Sequence, residues 1–316
     1  MNMLPFGISL PFGATWYGVA VAFSVLAALW LLIALRHCQA RRVGGPGTKW
    51  LMGVVDPYKL AVWCIPAALV GARLLYCLVR FSFFFLEMGP LSVLNTRMGG
   101  FLLYGAVLGA MAAAVLLARH EKVSAVYVLD ELAAPGMLAI LIGRLAECTT
   151  TEGVGAWVES SMWMRFPFAV KNEYDEWQLA VFLLEALIAA VILIALIVRR
   201  YARGERIMTA LLLYACCQIV CESLRMDSCL RIGFVRVSQV ISAVVILVVT
   251  IIRALRYGSR KDAALRALAV LVCVAAVGGL EWALDKTEFD NRLIYAAMSV
   301  TCALMLANGT GFKKKA

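Results

Sequence analysis

Nine ionisable side chains stand inside otherwise apolar stretches of this chain: Arg73, Asp130, Glu131, Arg144, Glu147, Glu185, Glu222, Arg225 and Glu281. A charge in hydrocarbon is costly, so such residues pair with one another or line a cavity. Glu281, close to the end of its stretch, is expected to reach the interface by snorkelling. Arg144 and Glu147 are three residues apart, hence neighbours on one helix face, and Glu222 and Arg225 repeat that spacing. Two facing acid–arginine pairs at headgroup depth would make a cavity suited to an anionic lipid phosphate. Arginine is the residue for such binding, because its planar fork donates two parallel bonds to phosphate oxygens. The alternative is that the pairs satisfy each other and staple a helix bundle.

The elements that must carry these groups follow from composition. The chain has 316 residues, 63% of them hydrophobic and 16% charged. Soluble domains run near 45–50% apolar and about 25% charged. An ordinary cytosolic enzyme, a disordered chain and a nucleic-acid-binding domain are thereby excluded. The fold expected is all-α, a polytopic membrane helix bundle, because lipid offers no partner for loose backbone. Stretches of roughly 20 apolar residues fall at 16–36, 58–83, 100–118, 124–147, 178–198, 207–224 and 235–253, with two more at 265–284 and 291–308. Residues 1–255 form a seven-span body on this reading, and 256–316 a two-span C-terminal extension.

Loop charge predicts orientation. Cations cluster after the odd-numbered spans: Arg36, Arg41, Arg42 and Lys49; Arg119 and Lys122; Arg199, Arg200, Arg203 and Arg206; Arg253, Arg256, Arg260 and Lys261; then Lys313, Lys314 and Lys315. The opposite connections carry Glu152, Glu159, Glu173, Asp175, Glu176, Asp227, Asp285, Glu288 and Asp290. The N-terminus is therefore expected outside and the C-terminus in the cytoplasm. The +10 net charge is accounted for without nucleic acid. Residues 1–15 lack a basic leader before the first apolar stretch, so the first span is expected to stay as an anchor. No Cys/His cluster has metal-ligand spacing, so no metal and no cofactor is expected. Cys148 and Cys229 border outer loops and are the one cysteine pair that oxidation could join. His37 and His120 both fall at cytoplasmic helix ends, which removes a Ser/His or Cys/His arrangement on the outer side.

The stretch Gly143-Arg144-Leu145-Ala146-Glu147-Cys148-Thr149-Thr150-Thr151-Glu152-Gly153-Val154-Gly155 resembles the signature G-R-x-G-N-F-x-N-x-E-x-x-G of bacterial prolipoprotein diacylglyceryl transferases. Gly143, Arg144, Glu152 and Gly155 match. Trp16-Tyr17-Gly18 is similar to the family's W-Y-G, and Gly71 to Tyr76 to its G-x-R-x-x-Y, with Arg73 as the arginine. Gly99-Gly100, followed by Tyr104-Gly105-Ala106 and Gly109, resembles G-G-x-x-x-H-G-G-x-x-G. Gln178-Leu179 with Glu185, Glu222 with Arg225, and Ser238-Gln239 resemble three later motifs. The likeness spans residues 16 to 255. It departs from the family at Tyr104 for a histidine, Glu147 for an asparagine, Gln218 for an arginine, and Ala180-Val181 for a Tyr-Glu pair.

The resemblance implies a reaction: a lipobox cysteine thiolate in the signal peptide of a prolipoprotein attacks the glyceryl carbon of phosphatidylglycerol, and glycerol phosphate leaves. The partners implied are phosphatidylglycerol, other membrane lipid and the prolipoprotein, at the outer face of the bacterial cytoplasmic membrane. The thiol must lose its proton, and the leaving phosphate must be held by preorganised donors. The resemblance places Arg144 as the phosphate clamp, helped by Arg225, Gln218, Arg73 and Tyr17. Gln218 donates hydrogen bonds but carries no charge. Tyr104, a poor base at neutral pH, would orient a phosphate or glycerol oxygen, and is otherwise an interfacial aromatic. Glu147 or Glu152 would take the proton if burial raises its pKa; the alternative for Glu147 is an ion pair with Arg144 that competes with phosphate. Glu222 completes the catalytic set, with backbone or turn roles for Gly99, Gly100, Gly105, Gly143 and Gly155. Residues 150–177, rich in Trp and Phe, read as an interfacial flap or a re-entrant loop. The substitutions leave two other readings open, a lipid-binding relative without transfer and a transferase with a different acceptor.

Overall fold

Apolar runs and capping residues set where the helices begin and end. The computed structural model describes residues 15–43, 55–95, 99–150, 152–172, 174–227, 230–287 and 290–311. The leader before Thr15, Lys49, Glu173, Cys229, Glu288 and Lys313 to Lys315 lie outside these residues. Among the described residues nine helices are long and apolar enough to cross a membrane. They are α1 (Trp16–Val43), α2 (Pro57–Val79), α3 (Leu103–His120), α4 (Ala125–Ala146), α5 (Val181–Val198), α6 (Glu205–Leu224), α7 (Val237–Tyr257), α8 (Arg260–Lys286) and α9 (Asn291–Thr310). Asp56, Ser259 and Asp290 cap α2, α8 and α9 by accepting from the amides of Tyr58, Asp262 and Arg292.

The chain divides into two units, one of residues 23–139 with 199–207 and the other of 1–22, 140–198 and 208–316. In the first, α2 and α3 meet along Ala67, Gly71, Gly105 and Gly109. A Cβ at Gly71, Gly105 or Gly109 would collide with backbone of the facing helix. Small residues at four-residue spacing let membrane helices approach this closely. Gly105, expected at a turn, thus serves a helix seam. Leu32, Val55, Leu60, Ala114, Leu117, Ala118 and Val128 form a core beside that seam. Arg36 and Glu131 make a buried ion pair of 2.6 Å, and Asp130 accepts from the amides of Gly204 and Ile207 at the start of α6.

Two elements depart from the sequence reading. Helix α2 stops at Val79, short of residue 83, and the chain continues through a π turn (Ser82–Glu87) and a 3-10 turn (Pro90–Leu94). Gly89, at φ +82°, separates the two turns and Pro90 opens the second, which bars one continuous helix through them. In the second unit Trp177–Leu179 is a strand, β2, paired antiparallel with β1 (Ala169–Lys171), and α5 starts only at Val181. A second hairpin joins β3 (Arg231–Ile232) to β4 (Val235–Arg236). The all-α expectation holds for the apolar helices, and these hairpins are additions to it. In this unit α7, α8 and α9 pack on one another.

Candidate active site

Backbone hydrogen bonds carry the segment after α4 to the segment after α6. Past α4 the chain makes a 3-10 turn (Glu147–Thr149) and then runs extended. The Gly155 amide donates to Leu179 O (2.8 Å), the Met226 amide to Val154 O (2.8 Å), and the Gly153 amide to Asp227 Oδ2 (2.7 Å). A Cβ at Gly155 would lie 2.6 Å from Leu224 O, so this approach tolerates no side chain. The small core of Val154, Val170, Ala180 and Phe182 backs the junction. Glu147 and Asp227 are thereby brought beside the last turn of α4 and the end of α6.

At that junction two guanidiniums share two carboxylates. Arg144 Nη1 contacts Glu147 Oε1 at 2.5 Å, and its Nε lies 3.0 Å from Glu185 Oε2. Arg225 Nη1 lies 3.3 Å from the same Glu185 oxygen, and its Nη2 3.6 Å from Glu147 Oε2. The four groups close a ring, Arg144–Glu147–Arg225–Glu185. Arg144 Nη2 also donates to the Tyr214 hydroxyl at 3.2 Å, and Arg225 Nη2 to Asp227 at 2.7 Å. Gln218 donates to both Glu185 (3.0 Å) and Glu222 (2.9 Å). Arg236, on β4, faces Glu222 at 3.8 Å and Asp227 at 3.5 Å, and donates to Arg225 O. The three arginines, Gln218, Tyr214, Glu147, Glu185 and Glu222 are all buried.

The spacing of Arg144 and Glu147 does make a pair. That of Glu222 and Arg225 does not: Arg225 reaches Glu185, Glu147 and Asp227, and Glu222 faces Arg236 instead. The reason is that Arg225 follows the last residue of α6, where the backbone has turned toward Val154. Glu281 does not snorkel. It is buried, and its Oε1 accepts from Ser223 and Gln239. Glu147 Oε2 is a buried oxygen with no hydrogen-bond partner among the described residues, so Glu147 is the more loosely held of the ring's two carboxylates. Glu152 stays accessible at the edge; crowding by surrounding protein, and then the charge of Glu147, push its carboxyl above the usual range. Tyr17, partly exposed, lies within electrostatic reach of Glu147, Arg144, Glu152 and Arg225. Gly143 lies in α4, where an added Cβ would meet open space.

The remaining expected residues lie in the other unit. Arg73 Nε donates to Val93 O (3.0 Å), and its two amino groups donate to the carbonyls of Ser92, Asn95, Gly99 and Gly100. Its donors are thus engaged by backbone carbonyls of residues 92–95 and 99–100. Gly99 and Gly100 take φ of +65° and +83°, the left-handed turn expected of them. Tyr104 is buried at the start of α3. Sequence reasoning missed Tyr214 and Arg236 as site residues and did not single out Glu185 as the hub. Arg236 stands two residues before Ser238-Gln239, so its place beside a matched motif was the available signal. Tyr214 offered none in its apolar run.

Residues 5–255 match the family model described as prolipoprotein diacylglyceryl transferase. The chain is 32% identical over 247 residues to the phosphatidylglycerol–prolipoprotein diacylglyceryl transferase of Bacillus cytotoxicus, covering 75% of this chain and 86% of that protein. It is 28% identical to the protein so named from Clostridium kluyveri (77% of this chain, 91% of that one). The Listeria monocytogenes protein of that name is 30% identical over 240 residues (73% and 82%).

Proposed function

This chain belongs to the prolipoprotein diacylglyceryl transferase family, and on that premise we propose that it moves the diacylglyceryl group of phosphatidylglycerol onto the lipobox cysteine of a prolipoprotein signal peptide. The reaction runs at the outer face of a bacterial cytoplasmic membrane, with the N-terminus outside and the C-terminus inside; the distribution of loop charge supports this orientation. Residues 1–255 carry the chemistry and 256–316 form an extension.

The observation that carries this reading is the closed ring of Arg144, Glu147, Arg225 and Glu185. A phosphodiester presents two anionic oxygens much as a carboxylate does. It takes the place of Glu147, the residue on a short turn with an oxygen lacking a hydrogen bond, while Glu185 stays on α5 and keeps the two guanidiniums in register. Arg144 and Arg225 then grip the phosphate as its charge grows on departure. Glu152, accessible and with a raised pKa, takes the thiol proton. The thiolate forms its bond to the glyceryl carbon as the carbon–oxygen bond breaks, and the electron pair leaves with glycerol phosphate. Tyr17, Gln218 and Glu222 orient the lipid. The exposed rings of Trp157, Trp163, Phe166 and Phe168 form an interfacial flap over which the signal peptide passes.

Two expectations follow at once. If Glu147 competes with phosphate, E147Q lowers the KM for phosphatidylglycerol several-fold with little change in kcat, as removal of a competing ground-state anion should; a raised KM contradicts the displacement. If Glu152 is the base, it must be deprotonated to work. Transfer by the wild type therefore rises as pH climbs through a pKa above the ordinary carboxylate range, and E152Q loses that limb with about 10²-fold lower kcat. An unchanged pH profile in E152Q removes Glu152 from the role.

A second reading, a relative that binds lipid without transfer, is favoured by Tyr104, Glu147 and Gln218 at positions where the family's pattern has His, Asn and Arg. Complementation of a strain depleted of its own transferase separates the two. Rescue by wild type and not by R144A supports transfer; phosphatidylglycerol binding by purified protein without rescue supports the second reading.

A further inference from the structure

Glu281 lies outside the stretch that matches the family, on α8, yet it is buried against α6 and α7, whose ends adjoin Arg225 and Arg236. Its Oε1 accepts from the Ser223 hydroxyl and from Gln239 Nε2. Ser223 directly follows Glu222 and sits two residues before Arg225; α9 reaches the same residue, with the Tyr295 hydroxyl donating to Ser223 O (3.4 Å) and the Ser223 hydroxyl lying 3.0 Å from Met298 Sδ. Gln239 uses its other end to accept from the Arg236 amide at 3.0 Å, which fixes the start of α7. Arg236 in turn faces Glu222 and Asp227 and donates to Arg225 O. One carboxylate oxygen of the extension thus ends a chain of hydrogen bonds that runs through Gln239 to Arg236 and along α6 to Glu222 and Arg225.

We infer that Glu281 is a positioning residue for the transfer reaction, and that the C-terminal helices set the placement of Arg225 and Arg236. The inference rests on the functional reading above. Gln239 Nε2 donates to Glu281 and also to Ile219 O (3.2 Å) and the Ser223 hydroxyl (2.8 Å), so Glu281 is one of three acceptors that together fix the direction of this buried amide. Loss of the Glu281 oxygen leaves Gln239 only its two acceptors on α6, so the amide shifts toward α6, displaces the Arg236 cap and lets the arginine pair drift from the phosphate. A small misplacement of that kind lowers turnover more than substrate affinity.

The test uses the full chain in vesicles containing phosphatidylglycerol, with a lipobox peptide as acceptor. E281A is expected to lower kcat about tenfold while KM for the peptide stays within about twofold, as misplacement of reacting groups predicts. E281Q keeps an accepting oxygen and restores kcat to within about threefold of wild type, which a general loss of packing would not allow. S223A, which removes one donor to Glu281 without touching α8, gives a smaller fall in kcat of the same kind. W282A, on the exposed neighbour of Glu281, leaves transfer unchanged. Wild-type kcat in E281A overturns the inference alone, and so does an E281Q as slow as E281A. A wild-type chain without transfer overturns the functional reading and this inference with it.

Discussion

R144A is expected to lower kcat/KM for diacylglyceryl transfer by about 10²–10³-fold, the size of effect seen when a preorganised donor to a developing anion is removed. Arg144 contacts Glu147 through Nη1, lies beside Glu185 through Nε and donates to Tyr214 through Nη2, so two of its nitrogens already face the ring's carboxylates. R144K keeps the charge but not the planar fork, and a point charge cannot serve Glu185 and an incoming phosphate together. R144K is therefore expected between R144A and wild type. Steady-state transfer with both substrates varied checks this. An R144K as active as wild type would show that charge alone suffices and that the two-pronged grip is wrong.

E185A should have the largest effect on stability. The Glu185 side chain is 1% exposed and lies within 3.3 Å of both guanidiniums through a single oxygen, while its other oxygen accepts from Gln218. Its removal leaves two buried cations beside each other with one carboxylate of the ring gone. Breaking a buried pair in this way typically costs about 3–5 kcal/mol. E185Q keeps the shape and the oxygen but not the charge, and is expected to lose part of that amount. Thermal unfolding of the purified chain in one detergent reads both. E185A melting within a degree of wild type would mean that the two arginines find other partners and that Glu185 is no hub.

Much of this was legible in the sequence because membrane helices are written in long apolar runs, and the nine helices fall close to the stretches read from composition. The pairing of Arg144 with Glu147 was legible too, since three-residue spacing on one helix fixes neighbours. What the sequence hid lies where helices stop. Gln178 looked like the start of a span but pairs in a hairpin with Val170, because Trp177-Gln178-Leu179 meets a second extended segment there. The same junction takes Arg225 off its helical register with Glu222 and delivers it to Glu147 and Glu185. Arg73 is buried, and nothing in its own helix indicates the Gly99-Gly100 turn that presents carbonyls to it. Glu281 looked like a snorkelling end residue, since nothing in its own helix indicates Ser223 and Gln239 opposite.

One assay reaches the site of Arg144 and Arg225 directly. Purified chain in vesicles of phosphatidylglycerol is given a synthetic signal peptide with a single lipobox cysteine, and the mass of that peptide is followed alongside release of glycerol phosphate. Wild type is expected to add one diacylglyceryl group to the cysteine with one glycerol phosphate released, and R144A to do neither at a comparable rate. A wild type that leaves the peptide unmodified, or an R144A that modifies it as fast, would contradict the account.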